Sequence, residues 1–171
     1  MLLNVMNGWL SDIPPFVRAG NHQALEIVTK MAGFVKGRVD YVLKRHGWAW
    51  WEACLNVEFG GMNEVAYNLF AITKDPAHKT LGDYFYKAVF MDPLAAKEEY
   101  ALTRQHANTH LPEIIGIARG WELTGNATLA SITDFFYKIL TKHYTYAATG
   151  GSNQGEAWMY PDQLGTPRFR S

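Results

Sequence analysis

Two stretches of the chain, LFAITKDPAHKTLGDYFYK (69–87) and GWELTGNATLASITDFFYK (120–138), align without a gap at a constant offset of 51. Thr73 meets Thr124, Asp75 meets Asn126, and Asp83-Tyr84-Phe85-Tyr86-Lys87 meets Asp134-Phe135-Phe136-Tyr137-Lys138. Self-similarity at a period near 50 marks stacked copies of one supersecondary unit, and that length suits a helical hairpin plus a long loop. A fainter third copy places Phe34 and Lys36 at the same offset before Phe85 and Lys87.

The second copy is the more legible. From Leu111 onward, Ile114, Ile115, Ala118 and Trp121 keep helical spacing, and Ile117 and Leu123 widen the stripe, so an inner helix buried over most of its circumference is expected across about 106–126. Gly116 and Gly120 sit four apart on one face and permit close backbone approach, at about 1 kcal/mol of helix propensity each relative to Ala. Gly125 suits the left-handed position after the helix, and Asn126 is a good N-cap for the next. That next helix, to about Lys142, gathers Leu129, Ile132, Phe136, Ile139 and Leu140 on one side and is therefore an outer helix.

The first copy follows the same plan. An inner helix from about Gly61 to Ile72 carries Val65, Ala66, Leu69 and Phe70. Asp75 then caps, and Pro76 opens, an outer helix expected to reach about Phe90. Upstream, Asn21 can cap an outer helix from His22 to His46 whose apolar side is Leu25, Val28, Ala32, Val35, Val39 and Val42. Residues 2–10 read as the tail of a helix broken by Pro14-Pro15. Long loops are expected at GWAWWEACLNVEFGG, MDPLAAKEEYALTRQ and HYTYAATGGSNQGEAWMYPDQ.

Composition narrows the classes. The chain has 171 residues, 48% hydrophobic and 14% aromatic, which is enough for one globular core and unlike disorder. Sixteen basic and sixteen acidic residues cancel, which gives no electrostatic case for nucleic acid or an anionic membrane. The start, MLLNVMNGWLSDIPP, is too short and interrupted for a signal peptide or a membrane span. The single cysteine, Cys54, excludes an internal disulfide and sets no compartment.

Short inner-to-outer turns and long outer-to-inner loops put all the long loops on one rim, where the inner helices present their N-termini. Glu58, His106 with Asn108, and Glu156 recur there about one repeat apart, so they are expected to face a common cavity. Each also has a plainer reading. Glu58 can cap the inner helix, His106 can make a local turn with Asn108, and Glu156 can be a solvated glutamate in a glycine-rich loop. Trp48, Trp50 and Trp51 read as packing residues or as a sugar platform. Asn126-Ala127-Thr128 matches a glycosylation acceptor, but the helix cap explains it better.

The blocks EFGGMNEV (58–65), Asp92-Pro93-Leu94, HANTHLPEIIG (106–116), ELTG (122–125) and YAATGGSNQGEAW (146–158) resemble, in order, the catalytic domain of glycoside hydrolase families 127 and 146, the β-L-arabinofuranosidase group. The resemblance runs from about residue 20 to 164. It implies an all-α fold of helical hairpins forming part of an (α/α)6 toroid, and hydrolysis of terminal β-L-arabinofuranose units from a carbohydrate with retention of configuration. It also implies Glu156 as general acid/base and His106 as a ligand of sugar hydroxyls, with Glu58 and Asn108 as further substrate-binding positions.

The family nucleophile is a cysteine thiolate held on zinc with two further cysteines and a glutamate. Zinc keeps the thiol deprotonated, where most retaining glycosidases use a second carboxylate about 5 Å away. The zinc glutamate and first cysteine belong shortly after Glu156, where this chain reads MYPDQLGTPRFRS, and Cys54 matches none of the ligands. No metal ligand is therefore assigned in this chain. The expectation is a partial catalytic domain over 1–164 with a divergent tail at 165–171, a fragment inactive alone and prone to self-association through exposed helices. The alternative is a non-catalytic helical-repeat protein that binds a glycan or a protein partner.

Overall fold

The computed structural model describes residues 20–146 and 150–163. The expected helix tail at 2–10, the Pro14-Pro15 break and the divergent tail lie outside the described residues. The fold is all-α. Its helices are α1 (His22–His46), α2 (Trp48–Cys54), α3 (Met62–Thr73), α4 (Pro76–Tyr84), α5 (Ala88–Ala95), α6 (Ala107–Thr124) and α7 (Ala127–His143). Among the described residues, strand structure is limited to a hairpin of β1 (Asn153–Gln154) and β2 (Ala157–Trp158). No described helix is long and apolar enough to cross a membrane.

The repeat is physical down to single hydrogen bonds. At the end of α3, Thr73 Oγ1 donates to the Leu69 carbonyl; at the end of α6, Thr124 Oγ1 donates to Gly120. Each threonine hydroxyl then accepts from the backbone N–H two residues on, Asp75 and Asn126, at 3.3 Å in both. Asp75 and Asn126 cap α4 and α7 through N–H groups of Ala77 and Thr128, both at 2.9 Å. The left-handed residue between is Lys74 (φ 59°) in the first corner and Gly125 (φ 68°) in the second.

The inner helices α3 and α6 pack side by side, and their contacts advance together. Asn63 Nδ2 donates to the Glu113 carbonyl at 2.8 Å, and Arg119 Nε donates to Asn68 Oδ1 at 2.7 Å. Contacts that climb in step along both helices make the pair parallel, offset by about one repeat, so both N-termini open at one end. Gly116 and Gly120 allow this approach. A Cβ on Gly116 would collide with the Asn63 amide, and one on Gly120 would lie 2.7 Å from the Tyr67 ring. Gly82 of α4 covers the other side of that ring, again at 2.7 Å from a would-be Cβ.

The apolar faces expected for the outer helices are the buried ones. In α1 they are Val28, Ala32, Val35 and Val39; in α7 they are Leu129, Ile132, Phe136 and Ile139. Four expectations need correction. The 47–61 loop contains α2, whose Trp51 is buried while Trp48 and Trp50 stay exposed. The first outer helix stops at Tyr84 rather than near Phe90, because Trp51 Nε1 donates to the Tyr84 carbonyl at 2.7 Å and Phe85 turns into the core against Trp51 and Phe59. The 91–105 loop begins inside α5.

The fourth correction concerns α6. It buries a narrower stripe than its composition suggests, with Ile114, Ile117, Gly116 and Gly120 inside and Leu111, Ile115 and Trp121 exposed. The faint third copy does not carry over in burial either, since Phe34 is 58% exposed and Phe85 fully buried.

Candidate active site

His106 is the N-cap of α6. Its extended backbone (φ −74°, ψ 120°) turns the imidazole back over the first turn, where Nδ1 accepts the Thr109 backbone N–H at 3.0 Å. An amide can only donate, so Nδ1 is the unprotonated nitrogen, and the ring hydrogen sits on Nε2. That Nε2 lies 3.1 Å from Glu156 Oε2, so the histidine donates to the carboxylate. Asn108 takes no part in the local turn that the sequence allowed.

Glu156 reaches this position through backbone rather than side-chain forces. Gly155, at φ 61°, makes the corner of the β1–β2 hairpin. The hairpin then docks on the strand-like approach to α6: Ala107 N–H donates to the Glu156 carbonyl at 2.6 Å, and Trp158 N–H to Gln105 at 3.1 Å. Trp158 anchors the far side, buried edge-on against Phe136 of α7. The glycine-rich loop is thus tied on both sides of the glutamate, whose side chain is 73% exposed and whose Oε1 has no partner among the described residues.

The four rim residues do not all converge. His106 and Glu156 are joined, while Asn108 is exposed on the first turn of α6 with no side-chain hydrogen bond among the described residues. Glu58 is exposed before α3 and caps nothing, since the N-cap is Gly61 and it makes no side-chain cap bond. A cavity of about 240 Å³, with Glu52, Asn56, Lys87 and Val89 among its walls, involves none of the four.

Beneath His106 lies a polar cluster that the periodicity did not single out. His110, one turn into α6, places Nδ1 2.6 Å from the His106 carbonyl; a carbonyl only accepts, so Nδ1 carries the hydrogen. Its Nε2 is then the acceptor, and Lys87 Nζ donates to it at 3.1 Å. Phe90 of α5 stacks on the ring with centroids 4.0 Å apart. Lys87 Nζ is also 3.7 Å from Glu113 Oε1, within ion-pairing range but too long for a hydrogen bond, and both carboxylate oxygens of Glu113 are buried without one.

Burial dominates the titration of this cluster. It holds His110 down to about 4 and pushes Glu113 up to about 8, the latter partly offset by Lys87. At neutral pH the histidine is therefore uncharged. A signal was available in the sequence, since His110 and Glu113 fall on the apolar stripe of an inner helix, where polar residues are expensive.

A family model described as beta-L-arabinofuranosidase, GH127 catalytic domain, matches residues 13–169. The chain belongs to that family. No curated protein matches it. As a GH127 catalytic-domain chain it carries the all-α hairpin architecture and a loop-bearing rim, and the family's substrates are carbohydrates.

Cys54, at the end of α2, is half-buried, and desolvation pushes its thiol up. Among the described residues no three of His, Cys, Asp and Glu cluster to hold a metal ion.

Proposed function

We propose that the hairpins form part of an (α/α)6 toroid whose rim receives a terminal β-L-arabinofuranose unit for hydrolysis with retention. In this reading Glu156 is the general acid/base and His106 is the sugar-binding position beside it, its Nε2–H shared between the carboxylate and a sugar hydroxyl; Asn108 and Glu58 are outlying contacts. The observation that supports it is the His106 Nε2–Glu156 Oε2 pair at 3.1 Å, made by two loops fifty residues apart and leaving Oε1 open to a glycosidic oxygen. A carboxyl so placed protonates the leaving oxygen in the first half-reaction and deprotonates water in the second.

Cys54, the sole cysteine of the 171 residues, lies outside the pair and supplies it no nucleophile. The polypeptide alone is therefore expected to release no p-nitrophenol from p-nitrophenyl β-L-arabinofuranoside. Release that Glu156→Gln abolished would overturn that expectation. Binding is the sharper test of the site: methyl β-L-arabinofuranoside should shift NMR signals of His106, Asn108 and Glu156, with loss in His106→Ala. If the sugar leaves those signals unmoved, the site reading fails and the non-catalytic helical-repeat alternative stands.

Exposed Leu111 and Ile115 on α6, with Ile27, Phe34 and Tyr41 on α1, support self-association. A sharp monomer in sizing chromatography would count against it.

A further inference from the structure

We infer that Lys87, His110 and Glu113 are a buried positioning group that holds the first turn of α6 so that His106 presents Nε2–H to Glu156. The inference rests on His106 and Glu156 being the site proposed above.

Three observations carry it. First, the bonds form a directed chain: Lys87 Nζ to His110 Nε2, His110 Nδ1–H to the His106 carbonyl, and His106 Nε2–H to Glu156. Each direction is settled by a partner that can only donate or only accept, so His106 and His110, four residues apart, hold opposite tautomers. Second, the segment that grips His110 comes from outside its hairpin. Lys87 supplies the bond and Phe90 the stacking face, and both belong to the stretch that departs from the repeat by leaving the helix after Tyr84.

Third, the fold does not require polar residues at these positions. Fifty-one residues earlier in the sequence, Phe59 lies just before α3 and Met62 opens it, and both are fully buried. The first hairpin therefore packs the sequence-aligned positions with apolar side chains. Burying a lysine, a glutamate and an imidazole instead sacrifices stability for a defined arrangement, as polar clusters in low-dielectric surroundings do. The start of α3 has no His106–Glu156 counterpart: its N-cap is Gly61, and Leu55, fifty-one residues before His106, is buried at the end of α2. The polar cluster occurs beneath the rim position that carries chemistry and is missing beneath the one that does not.

Imidazole ¹⁵N spectra of the full 171-residue chain test this, since nitrogen shifts separate the two tautomers. The expected pattern is hydrogen on Nε2 of His106 and on Nδ1 of His110, with a large His106 shift when Glu156→Gln is introduced. In Lys87→Met, His110 should become a mixture of tautomers and the His106 response to Glu156→Gln should fall to a small fraction of its former size; Lys87→Arg should restore both. An undiminished response in Lys87→Met overturns the inference.

Should Lys87→Met fail to fold, the triple variant Lys87→Met, His110→Phe, Glu113→Met makes the cluster apolar, as Phe59 and Met62 are, and serves as the folded background. There too the response must vanish, and its persistence overturns the inference. A Lys87-dependent response combined with no shift on adding methyl β-L-arabinofuranoside supports the positioning role and removes the sugar reading instead.

Discussion

The hairpin of α3 and α4 and the hairpin of α6 and α7 turn the same corner with the same bonds, yet only the second leads into a candidate site. The shared part is local: a threonine hydroxyl bonded back one turn, a left-handed residue, and an Asp or Asn cap. The difference lies at the other end. The first inner helix begins at Met62 behind a glycine with no side-chain cap, whereas the second begins at Ala107 behind a histidine that caps it and holds a glutamate. A repeat thus brings helix starts to one rim, and particular side chains at a start decide whether that place gathers a polar pair.

The outer helices differ as well. α4 ends at Tyr84, while α7, with nearly the same Asp-aromatic-Phe-Tyr-Lys sequence, runs on to His143. Trp51 takes the Tyr84 carbonyl that would otherwise continue the helix, and no bond of that kind reaches Phe135. The early stop frees Lys87 to turn inward, where it is only 7% exposed, while its repeat partner Lys138 stays on the surface in an ion pair with Asp134.

The largest test of this contrast is pH. Because His110 is held at about 4 rather than 6.5, the unfolded chain takes up a proton that the folded chain refuses as pH falls through that window. Stability should drop by on the order of 3 kcal/mol between pH 6.5 and 4, and His110→Phe should flatten that limb in urea melts. Glu113 works the other way. Raised to about 8, it contributes fully below 4.5 and loses that contribution as pH climbs towards 8, so Glu113→Met should remove an alkaline decline. An acid limb of undiminished depth in His110→Phe would show that His110 is not its source, and that His78 of the first hairpin, also held down by burial, matters as much.

Next in size is Gly116→Ala, whose Cβ lands on the Asn63 amide and breaks the bond to Glu113 that keeps the two inner helices in step. A loss of about 2 kcal/mol is expected, against a gain at an exposed helical glycine. Trp51→Phe should cost about 1 kcal/mol and let residues 85–87 take helical backbone shifts, making α4 resemble α7. If 85–87 stay non-helical, Trp51 is not what separates the two outer helices. Smallest is the exchange at the corners: Lys74→Gly should gain about 0.5–1 kcal/mol, and Gly125→Lys should lose a similar amount, because both positions are left-handed.

Much of this molecule is legible in the amino-acid order. The corner at 73–75, the cap at Asn126, the buried faces of α1 and α7 and the rim placement of His106 and Glu156 follow from residues whose preferred geometry is nearly independent of what surrounds them. The close approach of the inner helices was readable too, from Gly116 and Gly120, though not that Asn63 and Tyr67 would fill the space. Glu58 and Asn108 illustrate the limit. Spacing brings a residue to a rim, but whether its side chain finds a partner depends on the next few bonds, and among the described residues theirs do not reach the pair.

By itself the sequence determined a helical repeat, its period and its corners, because short-range sterics and capping act within a turn or two of chain. The end of α4, the inward turn of Lys87 and the tautomers of His106 and His110 were decided only in three dimensions. Each depends on a donor or acceptor supplied from a distant part of the chain: Trp51 for Tyr84, Lys87 for His110, and Glu156 for His106. Hydrogen bonds of that kind select among local states of similar energy, which no window of neighbouring residues can do.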